Sequence, residues 1–286
     1  MVGTKGQLGS DICAVFADTS RYIITKVNRA QADLEVPGTI SRILKQLGSF
    51  DYLINCAAMT NTEECEKFPR RAYRINTQAV HEMAATCAMY KNTFIHFSTD
   101  YVFDGKKMAP YLEDDQPKPL NVYGRTKLWG ENAVTQVSGR YFIFRIASLF
   151  GQAGKSSTGN NFIETIIHRA RAGEQLTVVN NQFMSPTHTL DVARTLRALV
   201  ENGCRNHGIY HCSCAGGCSW SDFAAEILAQ SGICAQIRPV PLASYPAAIT
   251  RPAYSVLDTT KIKKIFPPRS WQEALCEYLF LKGHLR

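Results

Sequence analysis

The residues of this chain best suited to chemistry lie in two short strings, Ser98-Thr99-Asp100-Tyr101-Val102-Phe103 and Tyr123-Gly124-Arg125-Thr126-Lys127. On a helix, Tyr123 and Lys127 stand four apart and project from one face, so a phenol and an ammonium reach the same small molecule. A phenol, with an unperturbed pKa of about 10, moves protons poorly at neutral pH. A fixed positive charge beside it stabilises the phenolate and lowers that value, which makes the pair a device for proton transfer. The same spacing arises by chance on ordinary amphipathic helices, so its meaning depends on the elements around it.

Those elements begin at Gly3-Thr4-Lys5-Gly6-Gln7-Leu8-Gly9, where glycines three apart precede a segment, residues 10–16, that continues as a helix. Glycines let the backbone turn sharply and approach a pyrophosphate, which then rests on the unpaired N–H groups of the helix N-terminus. Taken alone, the string reads equally well as a glycine-rich surface turn.

Residues 22–25, 52–55, 93–97 and 140–146 are β-branched or aromatic runs of strand length, each flanked by a longer segment that reads as helix. The clearest helix is 69–89, with Ala72, Ile75, Ala79, Met83 and Ala84 on one stripe, and 120–137 carries the tyrosine and lysine. Such alternation predicts an α/β fold, a doubly wound parallel sheet with ligand at the carboxyl ends of its strands. Asn55-Cys56-Ala57-Ala58 and Ser98-Thr99 follow two of those strands. Beyond Ile146 the elements shorten: a glycine- and serine-rich loop over 151–161, helices over 161–172 and 190–201, and a short strand over 175–179. Ser219 with Asp222 and Ser270 with Glu273 form capping boxes that open two further helices. The predicted organisation is a dinucleotide-binding domain over 1–146 and a smaller, mainly substrate-binding lobe over 147–286, with some segments returning to the first.

The chain has 286 residues, 45% hydrophobic and 20% charged, which excludes a disordered protein. No apolar run approaches the roughly 20 residues that span a bilayer, and no charged-then-apolar leader is seen, so the expectation is a cytoplasmic protein without membrane partners. The ten cysteines read as reduced thiols; the cluster His211, Cys212, Cys214 and Cys218 lacks a second paired set for zinc. The net charge of +8 is spread without basic and aromatic clustering, which argues against nucleic acid and suits an anionic small molecule.

In order and spacing, the glycine turn, Asn55 to Thr60, Ser98 to Gly105, Tyr123 to Glu131, Asn180 to Thr187 and Arg251 to Asp258 resemble the extended short-chain dehydrogenase/reductases over nearly the whole chain. They are most similar to the branch that reduces the 4-keto group of a deoxythymidine-diphosphate 6-deoxy sugar in dTDP-L-rhamnose synthesis. The resemblance implies a Rossmann-like fold and NADP or NAD as cofactor, with NADPH favoured. It implies that Thr99, Tyr123 and Lys127 are catalytic, that Gly3, Gly6, Gln7 and Leu8 line the pyrophosphate, that Asp33 and Leu34 flank the adenine, and that Ala57, Ala58 and Thr60 lie over the cofactor, with Tyr123 and Lys127 also touching it. The resemblance is compatible with a homodimer. Two other classes share the resemblance: a regulatory subunit of the type associated with methionine adenosyltransferase, in which the fold serves a partner protein, and a nucleotide-sugar epimerase or dehydratase.

Three departures stand out. Arg145-Ile146-Ala147-Ser148 replaces a family string containing tryptophan, so an aromatic platform for the hexose is missing. The glutamates that bridge a metal-dependent dimer in some members have no identified counterpart, so no metal is expected. Only Met1 and Val2 precede the first glycine, where the family places a strand of about six residues, an ordinary strand length. The chain thus reads as amino-terminally shortened, with its first strand missing and weak cofactor binding expected.

Overall fold

The computed structural model describes residues 1–17, 20–152, 161–244 and 249–285. Its centre is a parallel sheet in which Tyr52–Asn55, Thr93–Thr99, Tyr141–Ile146 and Gly208–His211 lie side by side in that order. Alternation along the strands sends side chains to both faces. Ile95, Phe97, Phe142 and Phe144 pack with Ile12, Phe16 and Leu196 on one side, while Phe94 and Ile143 pack with Leu44, Val80 and Met83 on the other. Such two-sided burial is what a parallel sheet requires.

Met1 and Val2 lie in the sheet between two other segments. Val2 bridges Val27 on one side and Asn55 on the other, both in parallel register. Its N–H donates to Ile54 O at 2.9 Å, its carbonyl accepts from Cys56 N at 3.0 Å, and Met1 O accepts from Val27 N at 2.8 Å. Strand order therefore reverses at Val2, and the turn that follows it opens into the crevice where such sheets bind ligands. The expected strand over 22–25 forms no ladder: Thr25 O accepts from the Met1 amino group at 2.7 Å, the bridge to the sheet is at Val27, and Ile23 is 97% exposed. Between this run and 52–54 lies a groove of about 500 Å³ lined by Met1, Ile12, Phe16, Ile24, Leu44 and Leu53. An extension of about six apolar β-branched residues ahead of Met1 has ladder partners waiting on both sides. The extended variant should melt higher and bind NADPH more tightly; equal melting temperature and equal affinity would show that the groove does not accept a strand.

The expected helix over 69–89 is continuous but carries one wide π-turn at Arg74–Gln78. That extra residue rotates the stripe, leaving Ile75 half-buried and burying Asn76 instead. The expected helices of the second half are Phe162–Arg171, Thr189–Glu201, Trp220–Ser231 and Trp271–Leu281, and both capping boxes form. Of the loop expected over 151–161, residues 153–160 lie outside the described residues. The second half is not wholly separate: Gly208–His211 joins the sheet, and Thr189–Glu201 packs on Gln7–Ala17. Cys212, Cys214 and Cys218 are buried, and burial raises the pKa of each thiol, as inert core cysteines would show. Among the described residues no helix is long and apolar enough to cross a membrane.

Candidate active site

The strand Thr93–Thr99 delivers Thr99 to the carboxyl end of the sheet. Its hydroxyl accepts from Tyr101 N at 3.2 Å and donates to Asp100 Oδ1 at 3.1 Å, while Asp100 Oδ2 accepts from Ser255 Oγ at 2.6 Å. Asp100 thus ties Thr99 to the segment around Ser255. Burial pushes its carboxyl up to about 6 against these donors.

Asn121 caps the helix Val122–Val137 through a bond from Gly124 N at 2.8 Å, and Glu66 accepts Val122 N at 2.7 Å. The first turn of this helix presses onto the turn after Thr99: a Cβ at Gly124 would fall 2.2 Å from Tyr101 O, so only glycine permits the approach. Tyr123 is thereby placed with its hydroxyl facing Thr99 and its ring edge-on to Tyr101 at 5.9 Å. Burial raises the Tyr123 phenol above its ordinary range, with Asp100 adding to the effect, so the phenol holds its proton at neutral pH. That is the form required of an acid.

Lys127, one turn further on, is buried beneath Tyr123. Its Nζ donates to Phe97 O at 2.5 Å and lies 3.2 Å from His96 Nε2. Burial lowers its pKa to about 8, against the opposing pull of Glu131 and of Cys65 and Cys56.

The glycine turn forms the second half of the site. Gly3 has φ 78°, and a Cβ there would lie 2.6 Å from Ala57 N. One at Gly9 would lie 2.3 Å from Gly3 O, so the turn, the helix Gln7–Ala17 and the strand Tyr52–Asn55 meet backbone to backbone. The helix has no acidic residue in its first turn, leaving its N-terminus favourable to an anion. Beside it is a groove of about 250 Å³ that brings Gly3, Gly6, Asp33, Leu34, Ala57 and Ala58 together. These residues fit a dinucleotide. Gln7, Leu8 and Thr60 do not line that groove: the Leu8 side chain is buried in the core with Ile12, and Thr60 is exposed.

Sequence reasoning missed several neighbours. Lys5 and Arg29 line the same groove, and Arg29 is held there by Asp33 at 3.2 Å and Glu35 at 2.6 Å. The only sequence signal was a basic residue just after an extended run. Asn76, turned inward by the π-turn, accepts from Met59 N at 2.9 Å and donates to Met59 O at 3.0 Å and to Thr126 Oγ1 at 3.1 Å. It fastens the loop after Asn55 to the helix that carries Tyr123 and Lys127. A π-turn at such a place is common at functional sites.

The family model for the RmlD substrate binding domain matches residues 1–281. The chain belongs to that family. Within the RmlD family, it is 35% identical to the spore coat polysaccharide biosynthesis protein SpsK of Bacillus subtilis, over 98% of this chain and 95% of that one. It is 34% identical to a dTDP-4-dehydrorhamnose reductase of Burkholderia thailandensis, covering 93% and 92% of the two chains. A dTDP-4-dehydrorhamnose reductase from Bacillus anthracis, solved in complex with NADP, superposes with a TM-score of 0.89 at 29% identity, covering 98% and 97%. These matches bear out both the resemblance to the extended short-chain reductases and the Rossmann-type α/β fold of this RmlD family member.

Proposed function

We propose that this chain is an NAD(P)H-dependent reductase of the 4-keto group of a 6-deoxy sugar carried on deoxythymidine diphosphate. The observation that carries the reading is the placement of the Thr99 and Tyr123 hydroxyls facing each other at the strand end, with Lys127 one helical turn behind. Both hydroxyls can bind one carbonyl oxygen, and Tyr123 holds the proton that oxygen needs when it becomes an alkoxide. The nicotinamide, when bound, supplies the hydride. Gly3, Gly6 and the first turn of Gln7–Ala17 would hold its pyrophosphate, Asp33 and Leu34 its adenosine end, and Ala57 and Ala58 the wall beside it. Lys127 would offer its ammonium to the ribose, and the second lobe would take the nucleotide sugar.

Within this reading NADPH is the preferred cofactor, because Arg29 and Lys5 stand at the adenosine end of the groove where a 2′-phosphate can pair with them. Arg29→Ala should weaken NADPH binding about tenfold, the worth of one charge-assisted bond, and leave NADH binding unchanged. Titration of both cofactors by protein fluorescence checks this; equal losses for the two would remove Arg29 from phosphate recognition.

The functional test follows loss of reduced-nicotinamide absorbance with a deoxythymidine-diphosphate 4-keto-6-deoxy sugar and with the free hexose. Turnover should require the nucleotide-linked sugar, since diphosphate and base supply the binding energy that positions the carbonyl. Equal rates would indicate a generic carbonyl reductase. Tight association with a partner protein and no turnover on any sugar would indicate the regulatory class.

A further inference from the structure

His96 takes no part in the chemistry described above, yet it sits fully buried on the strand that ends in Thr99, between Asn55 and Lys127. Its ring stacks on Phe94 at 6.0 Å, and the helix above approaches so closely that a Cβ at Gly130 would lie 3.7 Å from Nε2. No water-sized freedom is needed to see how its protons are arranged; the neighbours dictate it.

Asn55 Oδ1 accepts Ala57 N at 3.0 Å, so the amide nitrogen is the atom that faces His96 Nδ1, at 3.3 Å. An amide nitrogen only donates, which makes Nδ1 the acceptor and puts the ring proton on Nε2. That proton points at Lys127 Nζ, 3.2 Å away. If Lys127 is an ammonium, it directs a proton along the same line, and two protons cannot share one N···N contact. Two arrangements place a single proton in each of the two contacts of the His96 ring. In one, the ring is protonated on Nε2 and donates to a neutral amine. In the other, Lys127 is an ammonium donating to a bare Nε2, the ring proton sits on Nδ1, and Asn55 turns its oxygen to that proton, withdrawing it from Ala57 N. Ala57 lines the dinucleotide groove.

We propose that Asn55 and His96 form a positioning relay for Lys127, in which the tautomer of His96 and the orientation of the Asn55 amide change together with the charge of the lysine. The relay deepens the reductase reading and rests on it for its purpose. The ammonium that would hold the ribose is available only when the ring accepts from it, and the Ala57 N–H is then released toward the cofactor. Charging of the lysine and opening of a donor in the groove become one event. The titratable groups acting on Lys127 are Glu131 on its own helix, Cys65, Cys56 and His96. His96 itself is kept neutral by burial and by the neighbouring lysine.

The test is the imidazole ¹⁵N spectrum of His96 in cofactor-free protein, recorded from about pH 6 to about pH 10, the range that spans the lysine. The ring should stay neutral throughout and pass from the Nδ1–H form at low pH to the Nε2–H form at high pH. In Lys127→Met that change should vanish. One tautomer across the whole range, or a change that survives Lys127→Met, overturns the relay. A second measurement uses His96→Leu: kcat should fall tenfold or more with the sugar KM within threefold, and His96→Gln, which keeps an acceptor, should recover most of the loss. Wild-type kcat in His96→Leu also overturns the relay. Failure of the reductase reading is distinguishable, since it would show as no oxidation of reduced nicotinamide by the unaltered protein on any nucleotide sugar, whatever the ¹⁵N spectrum does.

Discussion

Tyr123→Phe should lower turnover by about 10²–10⁴-fold, the range lost when a general acid is removed, and leave NADPH affinity almost unchanged. The substitution deletes one oxygen. The ring remains in place against Tyr101, and the cap at Asn121 and the close approach at Gly124 do not involve the hydroxyl. What disappears is the proton that burial keeps on the phenol at neutral pH, at the place where it faces Thr99. An interaction used only as the carbonyl oxygen gains charge reduces kcat and kcat/KM together. Lys127→Met, by contrast, should weaken cofactor binding as well as turnover. Full turnover by Tyr123→Phe would remove it from the reaction.

The second large effect is on stability. Arg145 and Glu131 are an ion pair, 2% and 1% exposed, joined at 2.8 Å. A second bond runs from Arg145 Nε to Glu131 Oε1 at 3.0 Å, and Arg145 also donates to Glu113 O at 3.1 Å. Its guanidinium lies over the Phe103 ring at 5.1 Å, and burial, helped by its charge, holds His211 down to about 3. Arg145→Met strands a buried carboxylate and should cost about 3–5 kcal/mol, read as a lower midpoint in denaturant. Glu131→Leu combined with Arg145→Met removes both charges and should recover most of that loss, since burying two ions gains little over burying two apolar chains. A double variant no more stable than Arg145→Met alone would mean that the guanidinium acts through Glu113 and Phe103 rather than through Glu131.

Sequence read well where function depends on local chemistry. The glycine turn, the capping serines and the tyrosine-lysine spacing each need particular residue types at fixed offsets, and each is found where those offsets place it. It read poorly where a group depends on distant parts of the chain. Residues 22–25 have every property of a strand, but only Thr25 is tied to the sheet, through the Met1 amino group, and strand character is realised only in a ladder. Asn76 looked like one more polar position on a helix, because a π-turn leaves no mark in apolar periodicity. His96 sat within an apolar strand run, and its tie to Lys127 spans 31 positions. Glu131 and Arg145 stand 14 apart on a helix and a strand, a pairing that no helical or strand spacing anticipates. The spacing predicts that Lys127 lowers the phenol's pKa; burial instead raises the Tyr123 phenol, and the lysine is held by Phe97 O and His96.

The most direct measurement of the central claim is the fate of hydrogen at the sugar C4. With NADPH deuterated at the transferring position of the nicotinamide and a deoxythymidine-diphosphate 4-keto-6-deoxy sugar, the product should be a 4-hydroxy sugar carrying deuterium at C4, one label for each NADPH oxidised. Nucleotide sugar recovered without deuterium, or altered with no net oxidation of NADPH, would contradict the account.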